Sequence, residues 1–283
     1  MPELPEVETV CRGLKKTLVD RKVKSVTLHR DGMRVPFSPA LKKLANVKVK
    51  SVSRRAKYVL VHLGDGQTLV LHLGMSGRLL IFGRKDAYVP SKHDHLVLLM
   101  DNGTRVVMND PRRFGLAVLA ETDGLENHKF FRHLGVEPLG KDFTAEYLVE
   151  KLHGKKVAVK LAIMDQRVVV GVGNIYASEA LFAAHIDPRA PAGALRPATA
   201  EKLVVEIKAV LKRAIAAGGS SLRDYVQTDG ELGYFQHQFA VYDREGKKCK
   251  GCTCDIKKTG GVKRMTQGGR STFYCPVRQA GLG

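Results

Sequence analysis

KYVLVHLGDGQTLVLHLG, residues 57–74, sets two β-rich runs on either side of Asp65-Gly66. An Asp-Gly pair between such runs signals a tight hairpin, because glycine reaches positive φ without strain. The same texture extends outward through KVKSVTL (22–28), VKVKSVS (47–53), HLVLLM (95–100) and TRVVM (104–108), with Asn102-Gly103 as a second turn. Residues from about 22 to 120 therefore read as a β-sandwich or barrel-like domain. Ahead of it, residues 5–18 read as a helix. Pro5 suits a first helical position, and Val7, Val10, Cys11, Leu14 and Leu18 share one face.

Downstream the period changes. Residues 133–143 look like a connector, and TAEYLVEKL, VAVKLAIMD, NIYASEALFAA and TAEKLVVEIKAVLKRAIAAGG carry apolar residues at helical spacing. The last is expected to be capped by Thr199 and to stop at Gly218-Gly219. The tail, 239–283, returns to short strand-like runs around cysteines. The expected organisation is α+β and multidomain. A β-sandwich spans 1–132, a linker 133–143, a helical domain 144–238 and a cysteine-bearing β-hairpin 239–283.

The 283 residues carry a net charge of +19 and a pI near 9.8. Residues 241–283 hold ten Lys/Arg against three Asp/Glu. An excess of this size favours a polyanionic partner, nucleic acid first. No apolar run approaches the roughly 20 residues of a membrane span. MPELPEVETV has the wrong composition for a secretory signal, so the expected location is cytoplasmic. Cys11 stands alone, whereas Cys249, Cys252, Cys254 and Cys275 cluster, which in a reducing compartment points to metal before disulfide.

Four constellations could carry chemistry. Pro2 becomes the chain terminus if Met1 is removed. An α-amine has a pKa of about 7.7–8 against about 10.4 for lysine, so far more of it is unprotonated and nucleophilic at neutral pH. A following helix disfavours the ammonium, Glu3 and Glu6 favour it, and both carboxylates could move protons. CKGC at 249–252 is half of a zinc site, but the second half reads Cys275-x-x-Arg278, and arginine cannot ligate. Cys254 is a further thiolate, only two residues from Cys252. GVGN at 171–174 opens a helix whose first N–H groups and Asn174 could bind an anion. DPRRFG at 110–115 sets two arginines beside an aromatic, which suits a wedge entering DNA but also an ordinary salt-bridged turn. Met75 would ordinarily be a core residue.

MPELPEVETV, RRAKYVL, HLGMSGRL, DPRRFG, DQ–VVGVGNIYASEALF, GGSSLRDY and GRSTFYCP, in order from residue 2 to 279, resemble the Fpg/Nei family of formamidopyrimidine-DNA glycosylases. The resemblance implies an N-terminal β-sandwich with flanking helices, a helix-two-turn-helix domain and a zinc-finger-like β-hairpin. It implies removal of oxidised purines and β,δ-elimination through a Schiff base on Pro2. Glu3 would protonate the sugar, Glu6 orient the substrate and Lys57 contact phosphate. Met75, Arg112 and Phe114 would fill the gap left by the extruded base, with Arg112 reading the opposite cytosine. His93, Lys160, Asn174 and Arg270 would bind phosphates, and the stretch 220–238 would close over the base. Structural Zn2+ would rest on Cys249, Cys252 and Cys275, with Arg278 standing where the family usually has cysteine.

The expected partner is damaged double-stranded DNA, at the nucleoid, bound by a monomer with no required protein partner. Two other readings stay open at this stage: an oxidised-pyrimidine glycosylase of the same family, and a non-catalytic binder of DNA damage. A transcription factor would want a dimer interface and a recognition helix, and neither is evident.

Overall fold

The structure is a computed structural model that describes residues 2–221 and 227–281. The chain divides into two compact units. One comprises 1–132 and 215–236, the other 133–214 and 237–283.

In the first unit, α1 (Leu4–Leu18) starts at the N-cap Glu3, has Pro5 in its first turn, and buries Leu4, Val7, Val10, Cys11, Leu14 and Leu18. Eight strands follow: β1 (Val23–Leu28), β2 (Val49–Arg55), β3 (Tyr58–Leu63), β4 (Gln67–His72), β5 (Arg78–Phe82), β6 (Asp94–Met100), β7 (Arg105–Asn109) and β8 (Leu116–Glu121). They form two four-stranded antiparallel sheets, β1-β6-β7-β5 and β2-β3-β4-β8. Val59, Val61, Leu69 and Leu71 of one sheet share a core with Leu79, Leu96, Leu98, Val106 and Met108 of the other, closed by the apolar face of α1. Each such buried side chain contributes about 1.5–3 kcal/mol. Asp65-Gly66 turns β3 into β4 with Gly66 at φ 85°, and Asn102-Gly103 turns β6 into β7 with Gly103 at the same φ.

Residues 215–236 group with this unit and not with the helical segment. Ile81 N–H donates to the Thr228 carbonyl at 2.8 Å. A Cβ at Gly13 of α1 would lie 2.1 Å from Thr228 Oγ1, so the chain can return here only over a glycine.

The second unit contains α2 (Ala145–Leu152), α3 (Val159–Met164), α4 (Asn174–Ala184) and all but the last two residues of α5 (Pro197–Ala216). Thr199 does not cap α5. The helix begins two residues earlier, Ala200 N–H already donates to the Arg196 carbonyl at 2.9 Å, and Pro197 presets the first helical φ. The unit ends in the short α6 (Ile256–Thr259) and the hairpin β9 (Lys263–Gln267) and β10 (Arg270–Tyr274). Phe182 of α4, Val241, Val262 and Phe273 pack with the cysteines in a small separate core. Among the described residues no helix is long and apolar enough to cross a membrane.

Candidate functional site

In the first unit, Pro2, Glu3 and Glu6 are all buried at the start of α1, Glu3 and Glu6 at 3% and 2% exposure. Glu6 accepts from Glu3 N–H through Oε2 at 2.8 Å and from Ser220 N–H through Oε1 at 2.8 Å. Both of its oxygens therefore hold backbone in place, on the terminus and on the returning segment. This favours a positioning role for Glu6; Glu3, chained directly to Pro2, completes a reciprocal capping box, its side chain accepting from Glu6 N–H. The helix N-terminus behind them carries partial positive charge, which disfavours an added proton on a nearby amine.

Lys57 lies in the two-residue turn between β2 and β3 and is 9% exposed. Its neighbour Ala56 takes φ 53°, a strained value for a residue with a β-carbon. His72, at the end of β4, is held down to about pKa 4 by burial and then by the charges of Lys57 and Arg34. A neutral imidazole fits its contact, since Nδ1 accepts from Gly74 N–H at 2.9 Å.

Met75 is exposed at 37% and Phe114 at 47%, so the ordinary expectation of a core methionine does not hold. The Arg112 guanidinium carbon lies 4.7 Å from the centre of the Phe114 ring. His93 is half-buried before β6. Of the expected closing stretch 220–238, residues 222–226 lie outside the described residues.

In the second unit, Lys160, Asn174 and the strand that begins at Arg270 come together. Lys160 is fully buried; its ammonium donates to Asn174 Oδ1 at 2.5 Å, to Thr272 Oγ1 at 2.7 Å and to the Ser271 carbonyl at 3.5 Å. Asn174, the first residue of α4, donates to the Ser271 carbonyl at 2.8 Å. Arg270 is exposed. Lys160 is thus enclosed beneath the surface on which Arg270 is presented.

Cys249, Cys252, Cys254 and Cys275 form one cluster, with all four sulfurs within 4.8 Å of one another. Cys249–Cys254, Cys254–Cys275 and Cys252–Cys275 sulfurs are 3.2, 3.7 and 3.8 Å apart. A tetrahedral zinc with Zn–S near 2.3 Å needs sulfurs about 3.8 Å apart, so the donor set fits a structural zinc. Cys254, which the sequence left open, brings the fourth sulfur to this cluster. Burial raises the Cys252 thiol, but hydrogen bonds from Cys254 and the neighbouring thiols outweigh it and bring it down to about 7. Arg278 supports the cluster from outside. Its N–H donates to Cys275 Sγ at 3.3 Å, its guanidinium reaches the Gly251 carbonyl, and it stacks 4.7 Å over Phe182. Glu179 accepts from the N–H groups of Ala240, Val241 and Tyr242, fastening α4 to the segment before the cysteines, and burial raises its pKa despite these bonds.

Sequence reading passed over His72, Ser76 and Asp110. The only signal for Asp110 was its place before a proline at the head of a turn, where aspartate commonly binds backbone N–H groups.

Comparison with known proteins places relatives beside this geometry. The family model for the formamidopyrimidine-DNA glycosylase N-terminal domain matches residues 1–117, and that for the formamidopyrimidine-DNA glycosylase H2TH domain matches 134–226. A formamidopyrimidine-DNA glycosylase of Rhodospirillum rubrum is 51% identical, covering 99% of this chain and 100% of the relative. The wild-type Lactococcus lactis Fpg (MutM), solved with DNA containing N7-benzyl-Fapy-dG, is similar at a TM-score of 0.88 and 32% identity, covering 98% of this chain and 99% of that one. A MutM solved with DNA containing carbocyclic 8-oxo-G gives 0.87 and 32% over the same shares.

Proposed function

The chain belongs to the formamidopyrimidine-DNA glycosylase family, and from that premise we propose that it excises oxidised purines from duplex DNA through Pro2 and cuts the strand. The observation that carries the assignment of the nucleophile is the N-terminus itself. Pro2 and Glu3 are buried at the head of α1, and Glu6 fixes the backbone on both sides.

With Met1 removed, the Pro2 amine attacks C1′, the C1′–N9 bond breaks, and the purine leaves with a proton. The Pro2 nitrogen sheds its own proton, C1′–O4′ then opens as O4′ is protonated, and a secondary amine can give only a cationic iminium. That positive charge acidifies C2′–H, so loss of the C2′ proton expels the 3′ phosphate, and a second elimination expels the 5′ phosphate. Glu3 serves as the proton carrier at the sugar, and Lys57 meets a phosphate from its turn. Met75, Arg112 and Phe114 fill the space of the extruded nucleotide, which offsets the few kcal/mol of unstacking. His93, Asn174 and Arg270 bind phosphates, while the buried Lys160 holds Asn174 and β10 in register for them. Zinc at the four cysteines supplies folding energy to the hairpin and no chemistry at the sugar. The working place is the bacterial cytoplasm, at the nucleoid.

Borohydride trapping on a duplex carrying 8-oxoguanine opposite cytosine tests the reading, with oxidised-pyrimidine duplexes beside it. A covalent adduct mapped to Pro2 is expected. Tight binding with no adduct would make the chain a reader of damage, and preferential trapping on pyrimidine lesions would move it to the sister specificity.

A further inference from the structure

Asp110 is completely buried, yet the reaction as described has no use for it. Its Oδ1 accepts the Ser76 hydroxyl at 2.7 Å and Arg112 N–H at 3.2 Å, and its Oδ2 accepts Gly115 N–H at 2.8 Å. Its carbonyl lies 2.8 Å from His95 Nε2 and accepts from Arg113 N–H at 3.2 Å, and its own N–H donates to the His93 carbonyl at 3.0 Å. Ser76 follows Met75, and Gly115 follows Phe114. One carboxylate is thus bonded to Arg112 itself and to the immediate neighbours of Met75 and Phe114.

The two loops also meet backbone to backbone. A Cβ on Gly74 would lie 2.4 Å from the Phe114 carbonyl carbon, and one on Gly115 would lie 2.7 Å from the His72 carbonyl oxygen. Side chains that exposed would ordinarily move independently, and each would lose rotational freedom on entering a stacked duplex. Held by a common buried carboxylate, their backbones cannot.

We infer that Asp110 is the positioning residue of the wedge: it clamps the loops of Met75, Arg112 and Phe114 so that the three enter DNA as one rigid body. The inference rests on the proposal that these side chains fill the vacated space.

Asparagine at this position is close to isosteric and discriminates well. If its NH2 faces Gly115, two donors oppose each other; if it is turned, the NH2 opposes Arg112 N–H. Either way one bond that holds the 110–115 loop in shape is lost while the volume is kept.

The test compares Asp110→Asn, Ser76→Ala and the Met75→Ala/Phe114→Ala double variant with the unmodified chain. Two substrates are used in single-turnover: an 8-oxoguanine:cytosine duplex, and a single-stranded oligonucleotide with a preformed abasic site, which needs no eversion. Asp110→Asn should slow duplex excision at least tenfold and leave single-stranded cleavage within twofold. Ser76→Ala, which keeps the other links, should slow the duplex reaction about threefold. Adding Asp110→Asn to the double variant should change little further. Equal slowing of both substrates, or full additivity with the double variant, would make Asp110 a fold residue only and overturn the inference. Undiminished duplex excision by Asp110→Asn would overturn it too. If the double variant itself excises at full speed, the wedge reading fails first; if the unmodified chain is inert, the glycosylase reading fails.

Discussion

Arg54 donates from Nε to Glu8 Oε2 at 3.0 Å, and its Nη1 reaches the carbonyl of Ala56 at 3.0 Å. One largely enclosed guanidinium therefore ties the turn that carries Lys57 to the helix that Pro2 and Glu3 lead into. The Arg54 side chain is only 10% exposed, so the pair is less screened than a surface ion pair. Arg54→Met should cost about 1.5–3 kcal/mol of stability by urea denaturation. It should also lower the single-turnover excision constant about tenfold with duplex affinity changed less than threefold. Lost affinity at an unchanged rate would place Arg54 in binding instead.

Pro2→Gly replaces the secondary amine with a primary one on a more mobile terminus. Borohydride-trapped adduct on the lesion duplex should fall at least a hundredfold, with binding retained in a gel-shift assay. Full turnover by this variant would remove Pro2 from the mechanism.

The cysteine cluster makes an elemental prediction. The purified chain should hold about one zinc, and Cys254→Ser should lose most of it. Arg278→Ala should keep the metal but lose about 1–3 kcal/mol, through the Phe182 stack and the Gly251 bond. Zinc retained in Cys254→Ser would exclude Cys254 from the ligand set.

His72 gives a pH dependence with a definite sign. Its folded pKa, about 4, lies below the ordinary 6.5, so the unfolded chain takes up the proton first as pH falls. Its contribution to stability is whole above pH 6.5 and is lost as pH falls through 4, by at most about 3.5 kcal/mol at 1.36 kcal/mol per unit. Denaturant melts at pH 7 and pH 4.5 should therefore diverge more for the unmodified chain than for His72→Gln. Parallel losses would show that other groups set the acid limit.

Salt should separate Arg270 from Lys160. If about five phosphates are neutralised, log K falls with log salt at a slope near −4.5, and Arg270→Ala should flatten it by about 0.9. Lys160→Met should leave the slope nearer its original value and instead lower the melting temperature, because its ammonium is spent on Asn174, Ser271 and Thr272. A flattened slope with an unchanged melt would mean that Lys160 reaches phosphate directly.

Much of the fold could be read from local pattern. The Asp65-Gly66 and Asn102-Gly103 turns, the apolar face of α1 and the start of α4 all follow from residues a few positions apart. The cysteine cluster was legible because metal chemistry is written in residue type. What escaped was set by long-range register. Cys254 completes the sulfur cluster because β10 brings Cys275 to it, and the spacing Cys252-x-Cys254 says nothing of that. Asp110 looked like one member of a charged turn; its bond to Ser76, 34 positions away, comes from the pairing of β5 with β7. The return of 215–236 to the first unit rests on Gly13, which in the sequence is only a weak point in a helix.

That return also governs the order in which the protein can be finished. The N-terminal unit is the first to leave the ribosome, but its last segment follows roughly a hundred residues later, after residues 133–214 have been made. At about 5–20 residues per second, the nascent unit waits on the order of 5–20 s with Glu6 lacking its Ser220 partner and the groove over Gly13 uncovered. Translation thus completes the reactive end of the chain late, when most of the second unit is already available to fold.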